Sequence, residues 1–301
     1  MLLEYINARG KTLLFAAPDG MEHTPYYLTG LQGAYGLDVD IQSAEQYPRD
    51  GETYIGSRVK PRSITLEGFI HGDDKAADRI RLLETLVPKE IGALTASRGQ
   101  FKRRIACVIE RAPYFKTSRG DKFSILLRCP DPYWTDAGGA LSVELNGWEG
   151  LLEFELEIPD EDDPSNVGED AIAGFEFGTR GNASLANALN TGQLTTGFTA
   201  VLSAIGTVVN PSLLNIRTRD ELRFLLTMYS GDTITVSTSE YDKWALLRRA
   251  DGSVENAMKY IDPAFVFFAL EPGDNICRAG ADEGGDLLNA GIEFKPRYLG
   301  L

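Results

Sequence analysis

Histidine is the first residue type to consider, because imidazole is the usual general base near neutral pH. The chain has two histidines, His23 and His71. The run His71-Gly72-Asp73-Asp74 could surround a metal ion, or it could form a turn in which an aspartate caps the following helix. The sequence contains no H-E-x-x-H, G-x-S-x-G or G-x-x-x-x-G-K-S/T motif. We therefore predict no catalytic residue, no metal site and no cofactor.

The most acidic stretch, Asp160-Glu161-Asp162-Asp163-Pro164, suggests calcium. A calcium-binding loop of the EF-hand type needs glycine at its sixth position and a bidentate glutamate at its twelfth. Counted from Asp160, these positions hold Ser165 and Ala171. The pattern favours a solvated loop between strands over residues 160–170. A calcium site of another type is the alternative.

Aromatic residues in the second half of the chain could bind sugars, because ring faces stack on the CH groups of pyranoses. The possible glycan contacts are Trp148, Trp244, Tyr229 and Tyr241. The alternative is that these rings belong to the core or rim of a β-structure. No pair of carboxylates stands out for glycoside hydrolysis, so a cell-envelope glycan hydrolase is a remote alternative.

The three cysteines, Cys107, Cys129 and Cys277, are widely spaced and form no C-x-x-C pair. An odd, unclustered set favours buried thiols over a disulfide framework or a zinc site. The sequence has no run of about 20 apolar residues and no secretory signal pattern. These features predict a protein that folds in a reducing cytoplasm.

Residues 1–135 have the pattern of strands with one helix. Residues 63–70 alternate apolar and polar side chains, which indicates a half-buried strand. A helix should follow, capped by Asp73 or Asp74 and stopped by Pro88. Its helically spaced apolar residues are Ala76, Ile80, Leu83 and Val87. Gly30, Gly33 and Gly36 are predicted to supply turns rather than a nucleotide-binding loop.

Two prolines within Cys129–Trp134 mark a boundary near residues 130–140. We predict two domains, 1–135 and 136–301. The second is expected to be an all-β sandwich, with strands over 151–158, 234–238 and 265–270. Asn210-Pro211, Ser230-Gly231-Asp232, Asp251-Gly252 and Pro272–Asn275 are the predicted turns.

Charge is distributed unevenly between these two parts. Residues 1–135 hold 19 Lys and Arg against 17 Asp and Glu, a net charge of +2. Residues 136–301 hold 11 against 27, a net charge of −16. An acidic surface repels phosphate polymers, so the second part is not expected to bind nucleic acid.

Three stretches of the first part resemble the siphophage-type distal tail protein family, a group of phage tail components. They are Asp50-Gly51-x-x-Tyr54-Ile55-Gly56, Ile64-x-Leu66-x-Gly68-x-Ile70 with the helix after it, and Leu126–Trp134. In the second part, Asn210-Pro211, residues 234–238, Phe267–Asn275 and Arg297–Leu301 are similar to the galectin-like or carbohydrate-module-like sandwich of those proteins. The resemblance implies a mainly β fold, with a tail-tube-like split β-barrel or sandwich carrying one helix, followed by a galectin-like sandwich.

The same resemblance implies a structural virion protein at the tail tip rather than an enzyme. It would form a homohexameric ring that joins the tail tube protein to the tail-tip hub, or tail-associated protein, and supports a receptor-binding protein. DNA would pass through the lumen without specific binding, and assembly would take place in the host bacterial cytoplasm. An alternative, compatible with the first, is that the second domain binds a host-surface glycan.

Overall fold

The computed structural model describes residues 1–16, 24–48, 50–115, 122–145 and 185–301, together with the backbone of two strands, Trp148–Phe154 and Phe175–Arg180. Within these residues the protein is mainly β with one α-helix, so the predicted fold class is confirmed. Contacts divide the chain into two compact units. Unit 1 consists of Met1–Ala140, Gly192–Leu194 and Lys295–Leu301; unit 2 consists of Leu141–Thr191 and Thr195–Phe294.

Unit 1 is built on a sheet that closes into a barrel. Its strands are β1 Leu2–Ile6, β2 Thr12–Ala16, β3 Tyr26–Gln32, β6 Arg62–Ile70, β7 Ile91–Arg98, β8 Phe101–Phe115 and β9 Lys122–Cys129. They pair in the order β8-β7-β1-β2-β3-β6-β9, and β9 pairs again with β8. The long strand β8 makes this possible, because its first half pairs with β7 and its second half with β9.

The barrel interior follows from strand alternation. In β6 every second residue from Arg62 to Ile70 is buried, as the sequence predicts. The facing strands contribute the large rings of the core, and Phe15 lies 5.7 Å from Tyr26 and 5.9 Å from Phe123 between ring centroids. Burying such side chains stabilises a fold by roughly 1.5–3 kcal/mol each.

The predicted helix is present as α1, Lys75–Thr85. The Asp74 carboxylate accepts hydrogen bonds from the amides of Ala76 and Ala77, which confirms the predicted cap. The predicted apolar face is wrong, because Ile80 and Leu83 are exposed and Leu82 is buried. Neither α1 nor the short 3-10 helices in the described part of the chain are long and apolar enough to cross a membrane.

A buried arginine links three segments at one end of the barrel. Arg62 is 4% exposed, and its guanidinium donates to the carbonyls of Gly33 and Pro132, each at 2.8 Å, and to that of Leu299. Gly33 has a φ of +79°, and a Cβ there would collide with the Ser63 carbonyl, so only glycine fits this turn. The predicted turn role of Gly33 is thereby explained.

The C-terminal residues return to unit 1. Strand β25, Arg297–Tyr298, pairs with β10, Trp134–Asp136, which pairs with β8. Trp134 is fully buried and donates its indole N–H to the Ala34 carbonyl at 3.2 Å. The compact units therefore differ from the continuous division at 135/136, because residues 295–301 lie with the first unit.

Unit 2 contains a six-stranded antiparallel sheet and a four-stranded one, which share a core around Phe198, Phe224 and Leu270. The six-stranded sheet has β11 Leu141–Leu145, β24 Leu288–Phe294, β15 Phe198–Ala204, β20 Thr233–Ser239, β21 Asp242–Arg248 and β22 Val254–Asn256. The four-stranded sheet has β14 Leu185–Asn187, β23 Ile276–Gly280, β17 Ser212–Asn215 and β18 Glu221–Arg223.

Shorter pairs complete the described strands. They are β16 Val208–Val209 with β19 Thr227–Met228, and β12 with β13, the two backbone strands named above. The galectin-like character of this unit stays a prediction. The predicted turns at Gly231, Gly252 and Gly273 all have positive φ.

The predicted strand over residues 265–270 is wrong. This segment packs Phe268 and Leu270 into the core, but its backbone makes isolated hydrogen bonds, such as Val266 N–H to the Glu221 carbonyl. Leu270 pairs with Thr196 as a single bridge. A run of apolar residues indicates that a segment is buried. It does not show whether the backbone pairs with a neighbouring strand, because that depends on residues far away in the sequence.

Replacing Arg62 with Met should destabilise the barrel by about 3 kcal/mol, because three buried carbonyls lose a charged donor. Residues 297–301 should also exchange their amide hydrogens faster. Hydrogen exchange read by mass spectrometry checks both effects. If the barrel and residues 297–301 exchanged as slowly as in the unmodified chain, this role of Arg62 would be contradicted.

Candidate functional site

The residues that could perform catalysis are dispersed. His71 is exposed, and its ring contacts Tyr27 and Phe69 edge-on, with centroids 5.5 and 6.2 Å away. Among the described residues no group of three His, Cys, Asp or Glu side chains is placed to hold a metal ion. His23 and the acidic stretch 160–170 lie outside the described residues.

The three cysteines are buried and free, as the sequence predicts. Burial raises the pKa of Cys107 and Cys129 to about 12 and that of Cys277 to about 11. A thiol must ionise to act as a nucleophile, so these three groups are inert near neutral pH.

The buried carboxylate of Asp232 joins two turns in unit 2. It accepts hydrogen bonds from the amides of Tyr229 and Ala250, at 2.9 and 3.0 Å, and from the Arg249 guanidinium at 2.8 Å. Burial opposes its ionisation, but these donors outweigh burial and hold the pKa of Asp232 below its usual value. The three donors belong to two turns, at residues 229–232 and 249–252, so this carboxylate stabilises the fold of unit 2.

The four aromatic residues considered for sugar binding do not converge. Tyr241 is 84% exposed and lies with half-buried Trp244 at the turn that joins β20 to β21. Tyr229 precedes the start of β20, whereas Tyr241 and Trp244 lie beyond its end. The seven residues of β20 separate these positions by about 20 Å, at 3.3 Å per residue. Trp148 lies in β12, whose side chains are outside the described residues.

The most unusual surface in the described chain is a two-stranded hairpin of unit 1. It consists of β4 Val39–Glu45 and β5 Glu52–Val59, which pair with each other and with no strand of the barrel. Every residue of both strands is exposed or partly exposed. An isolated hairpin is marginally stable in water, so this one is expected to gain stability from a partner surface.

One face of the hairpin is apolar. Val39 lies opposite Val59, Ile41 opposite Ser57 and Ser43 opposite Tyr54, so these side chains share a face. Ile41 is 68% exposed and Tyr54 63%. Single exposed apolar residues are ordinary, but a row along one sheet face indicates a contact surface.

The opposite face of the hairpin is polar and ion-paired. Asp40 accepts from Lys60 at 2.7 Å and from Arg58 at 3.4 Å. The hydrogen bond from Lys60, then the attraction of both cations, lowers the pKa of Asp40. Glu45 and Glu52, which lie opposite each other nearer the tip, share the face of Ile41 and Tyr54 and have no ion pair within the described residues.

A groove of about 550 Å³ lies elsewhere on unit 1. It is lined by Tyr35, Ala96, Arg98, Phe101 and Arg103, with both ends of the chain alongside. Phe101 is 70% exposed. Arg103 is held in place, since its guanidinium donates to the Gly300 carbonyl and lies 4.1 Å from the centroid of the Tyr298 ring.

The sequence indicates the hairpin and this groove only in part. The family resemblance includes Asp50–Gly56 of the hairpin, and it does not include Ile41, Arg98 or Phe101. The alternating Val39-x-Ile41 pattern was a usable signal for a strand. Nothing local in the sequence indicates that the strand's apolar face is left uncovered.

A family model matches part of the chain. Residues 30–129 match the model of the phage tail protein RIFT-related domain. This segment contains the hairpin and two of the three stretches that carried the resemblance, and it includes the start of the third. No curated protein sequence matches the chain.

Solved structures extend the likeness to both units. SPP1 Dit (gp 19.1), described as a paradigm of the hub adsorption apparatus in phages that infect Gram-positive bacteria, matches with a TM-score of 0.65 at 12% identity, covering 99% of each chain. The predicted distal-tail-protein fold is therefore confirmed. A chain of the phage P2 baseplate in its activated conformation has a TM-score of 0.46 with Ca and 0.45 with Sr, at 10% and 11% identity, covering 98% of this chain and 97% of that one.

Replacing Asp232 with Asn should destabilise unit 2 by about 2 kcal/mol at pH 7, because an ionised acceptor of three hydrogen bonds is lost. The folded-state pKa of Asp232 is lowered, so its contribution is complete above the unfolded pKa of about 3.9 and disappears as pH falls through the folded pKa. The difference in thermal unfolding between the two proteins should therefore shrink below about pH 4.

The matched control is Asp251→Asn, in an exposed turn where a carboxylate accepts from the Ser253 amide. It should leave the midpoint of thermal unfolding almost unchanged, because this carboxylate is fully solvated. Equal effects of the two substitutions would show that burial and the Arg249 bond are not what matters at Asp232.

Proposed function

We propose that this protein is a structural, non-enzymatic component of a phage tail tip, which assembles as a closed ring and connects the tail tube to the tail-tip hub. Support comes from the phage tail domain at residues 30–129 and from the fold shared with Dit over the whole chain. Inert thiols and dispersed polar residues agree with an architectural role.

The observation that carries the proposal is the uncovered apolar face of the hairpin. Each barrel strand has a neighbour on both sides, although β2 and β3 pair over only two residues and leave a short free edge there. The hairpin strands β4 and β5 each keep one free edge as well as the apolar face. A ring requires contacts between copies, and this is the part of unit 1 best suited to supply them.

In this proposal the ring contains six copies, a number that comes from the resemblance to siphophage distal tail proteins. The tail tube protein would bind on one side and the hub on the other, with a receptor-binding protein supported from outside. DNA would pass through the lumen without specific binding. Assembly would occur in the host bacterial cytoplasm, before the particle is released.

The isolated protein should have a mass near six times 33.0 kDa in light scattering at micromolar concentration. Ile41→Asp should shift it to a monomer, because a charge on the apolar face must be desolvated in any contact. Gln42→Asp places the same charge on the opposite, polar face and should leave the mass unchanged. A strictly monomeric unmodified protein at all concentrations and salts would contradict the ring.

A second candidate function is binding of a host-surface glycan through unit 2. The observation that favours it is the outward-facing ring of Trp244 beside exposed Tyr241 at the end of one sheet. Thr199, a partly exposed residue on the neighbouring strand of the same face, could donate a hydrogen bond to a sugar hydroxyl.

On a glycan array, Trp244→Ala in the full chain should weaken any binding by about tenfold, since a stacked ring typically contributes about 1–1.5 kcal/mol. Tyr229→Ala is the control, because Tyr229 lies at the far end of β20. Binding that survives Trp244→Ala but is lost with Tyr229→Ala would place the site elsewhere. Trp148→Ala tests the remaining aromatic in the same assay.

A further inference from the structure

We propose that the apolar face of the hairpin docks into the groove formed by Tyr35, Arg98, Phe101 and Arg103 on a second copy of this chain. The inference rests on the proposed ring and assigns its contact to two particular surfaces. Both surfaces belong to unit 1, so every copy carries one of each.

The two surfaces have matching apolar character. The hairpin presents Val39, Ile41 and Tyr54 in a row, and the groove presents the exposed rings of Tyr35 and Phe101 above Ala96. Aromatic rings that flank an apolar floor are the usual anchors of protein contacts. Covering these side chains removes apolar area from water on both copies.

The two surfaces also have opposite charge. Among the described residues that line the groove, the charged side chains are Arg98 and Arg103, and none is Asp or Glu. In the sequence, residues 45–52 at the hairpin's tip carry Glu45, Asp50 and Glu52 against one cation, Arg49, a net charge of −2. Nearer the barrel, Asp40 engages Arg58 and Lys60. Complementary charge of this kind selects the partner and fixes the register of a contact.

The geometry favours a second copy over the same chain as the occupant. Within the described residues, the groove is lined by residues outside the hairpin, so the hairpin of the same chain leaves it open. A contact between two different patches of one chain is heterologous, and heterologous contacts generate rings when the rotation closes. Hairpin pairing with hairpin would be isologous and would stop at a dimer.

Two single variants, each disabling one surface, test the pairing. Ile41→Asp disables the hairpin and Phe101→Asp disables the groove, and both positions are exposed, so each variant should fold. Each alone should be a monomer in light scattering, with the contact weakened by more than about tenfold. An equimolar mixture should form a dimer, since the intact hairpin of one variant still fits the intact groove of the other.

The outcomes separate this contact from the ring itself. A ring that persists in Phe101→Asp would overturn the groove assignment and leave the ring standing. A mixture that stays monomeric would show that the two surfaces are not partners. A monomeric unmodified protein would count against the ring and this contact together.

Arg98→Glu provides a second groove variant that keeps the aromatic ring in place. Alone, it should assemble more weakly than the unmodified chain. Mixed in equal amounts with Ile41→Asp, it should form a dimer, because its hairpin is intact and so is the groove of Ile41→Asp. Arg111→Glu, an exposed arginine of β8 outside the groove, is the matched control and should assemble normally. Equal loss of assembly in both arginine variants would point to overall charge instead of this groove.

Discussion

The arrangement of unit 1 depends on one buried cation. A guanidinium that leaves water must be hydrogen-bonded, and Arg62 meets this requirement with the carbonyls of Gly33, Pro132 and Leu299. These carbonyls come from the turn after β3, the segment after β9 and the C-terminal residues. Since the donors of one planar group have fixed directions, the three segments are held in one relative position.

The same arginine determines how the hairpin leaves the barrel. Gly33 precedes the hairpin and Arg62 follows it, so the hydrogen bond between them joins the two ends of the hairpin at the barrel. Lys60 adds a second tie, since its amide donates to the Asp38 carbonyl at 2.8 Å. An arm intended to reach a neighbouring molecule gains affinity when its direction is fixed beforehand, because less conformational entropy is lost on contact.

Local features of the structure could be predicted from the sequence, and non-local ones could not. The alternation in β6 and the Asp74 cap depend on neighbouring residues, and both predictions are confirmed. The exposure of Ile80 depends on which side of α1 packs against the barrel. Whether residues 265–270 form a strand depends on which neighbouring strands have a free edge. The candidate contact surface belongs to the second class. Phe101 and Ile41 look like ordinary strand residues until the barrel closes and leaves both outside.

The return of residues 295–301 to the barrel has a consequence for the order of folding. During synthesis most of the barrel is made first, but the hydrogen bonds of Arg62 cannot be completed until residues 295–301 have been made. In unit 2, Leu141 lies directly opposite Phe294 in the β11–β24 pair. Once that sheet has formed, the roughly 150-residue loop between the barrel and its final strand shrinks to a few residues, which removes about 3 kcal/mol of closure entropy. Folding of the second unit therefore brings residues 295–301 close to the barrel strands with which they pair.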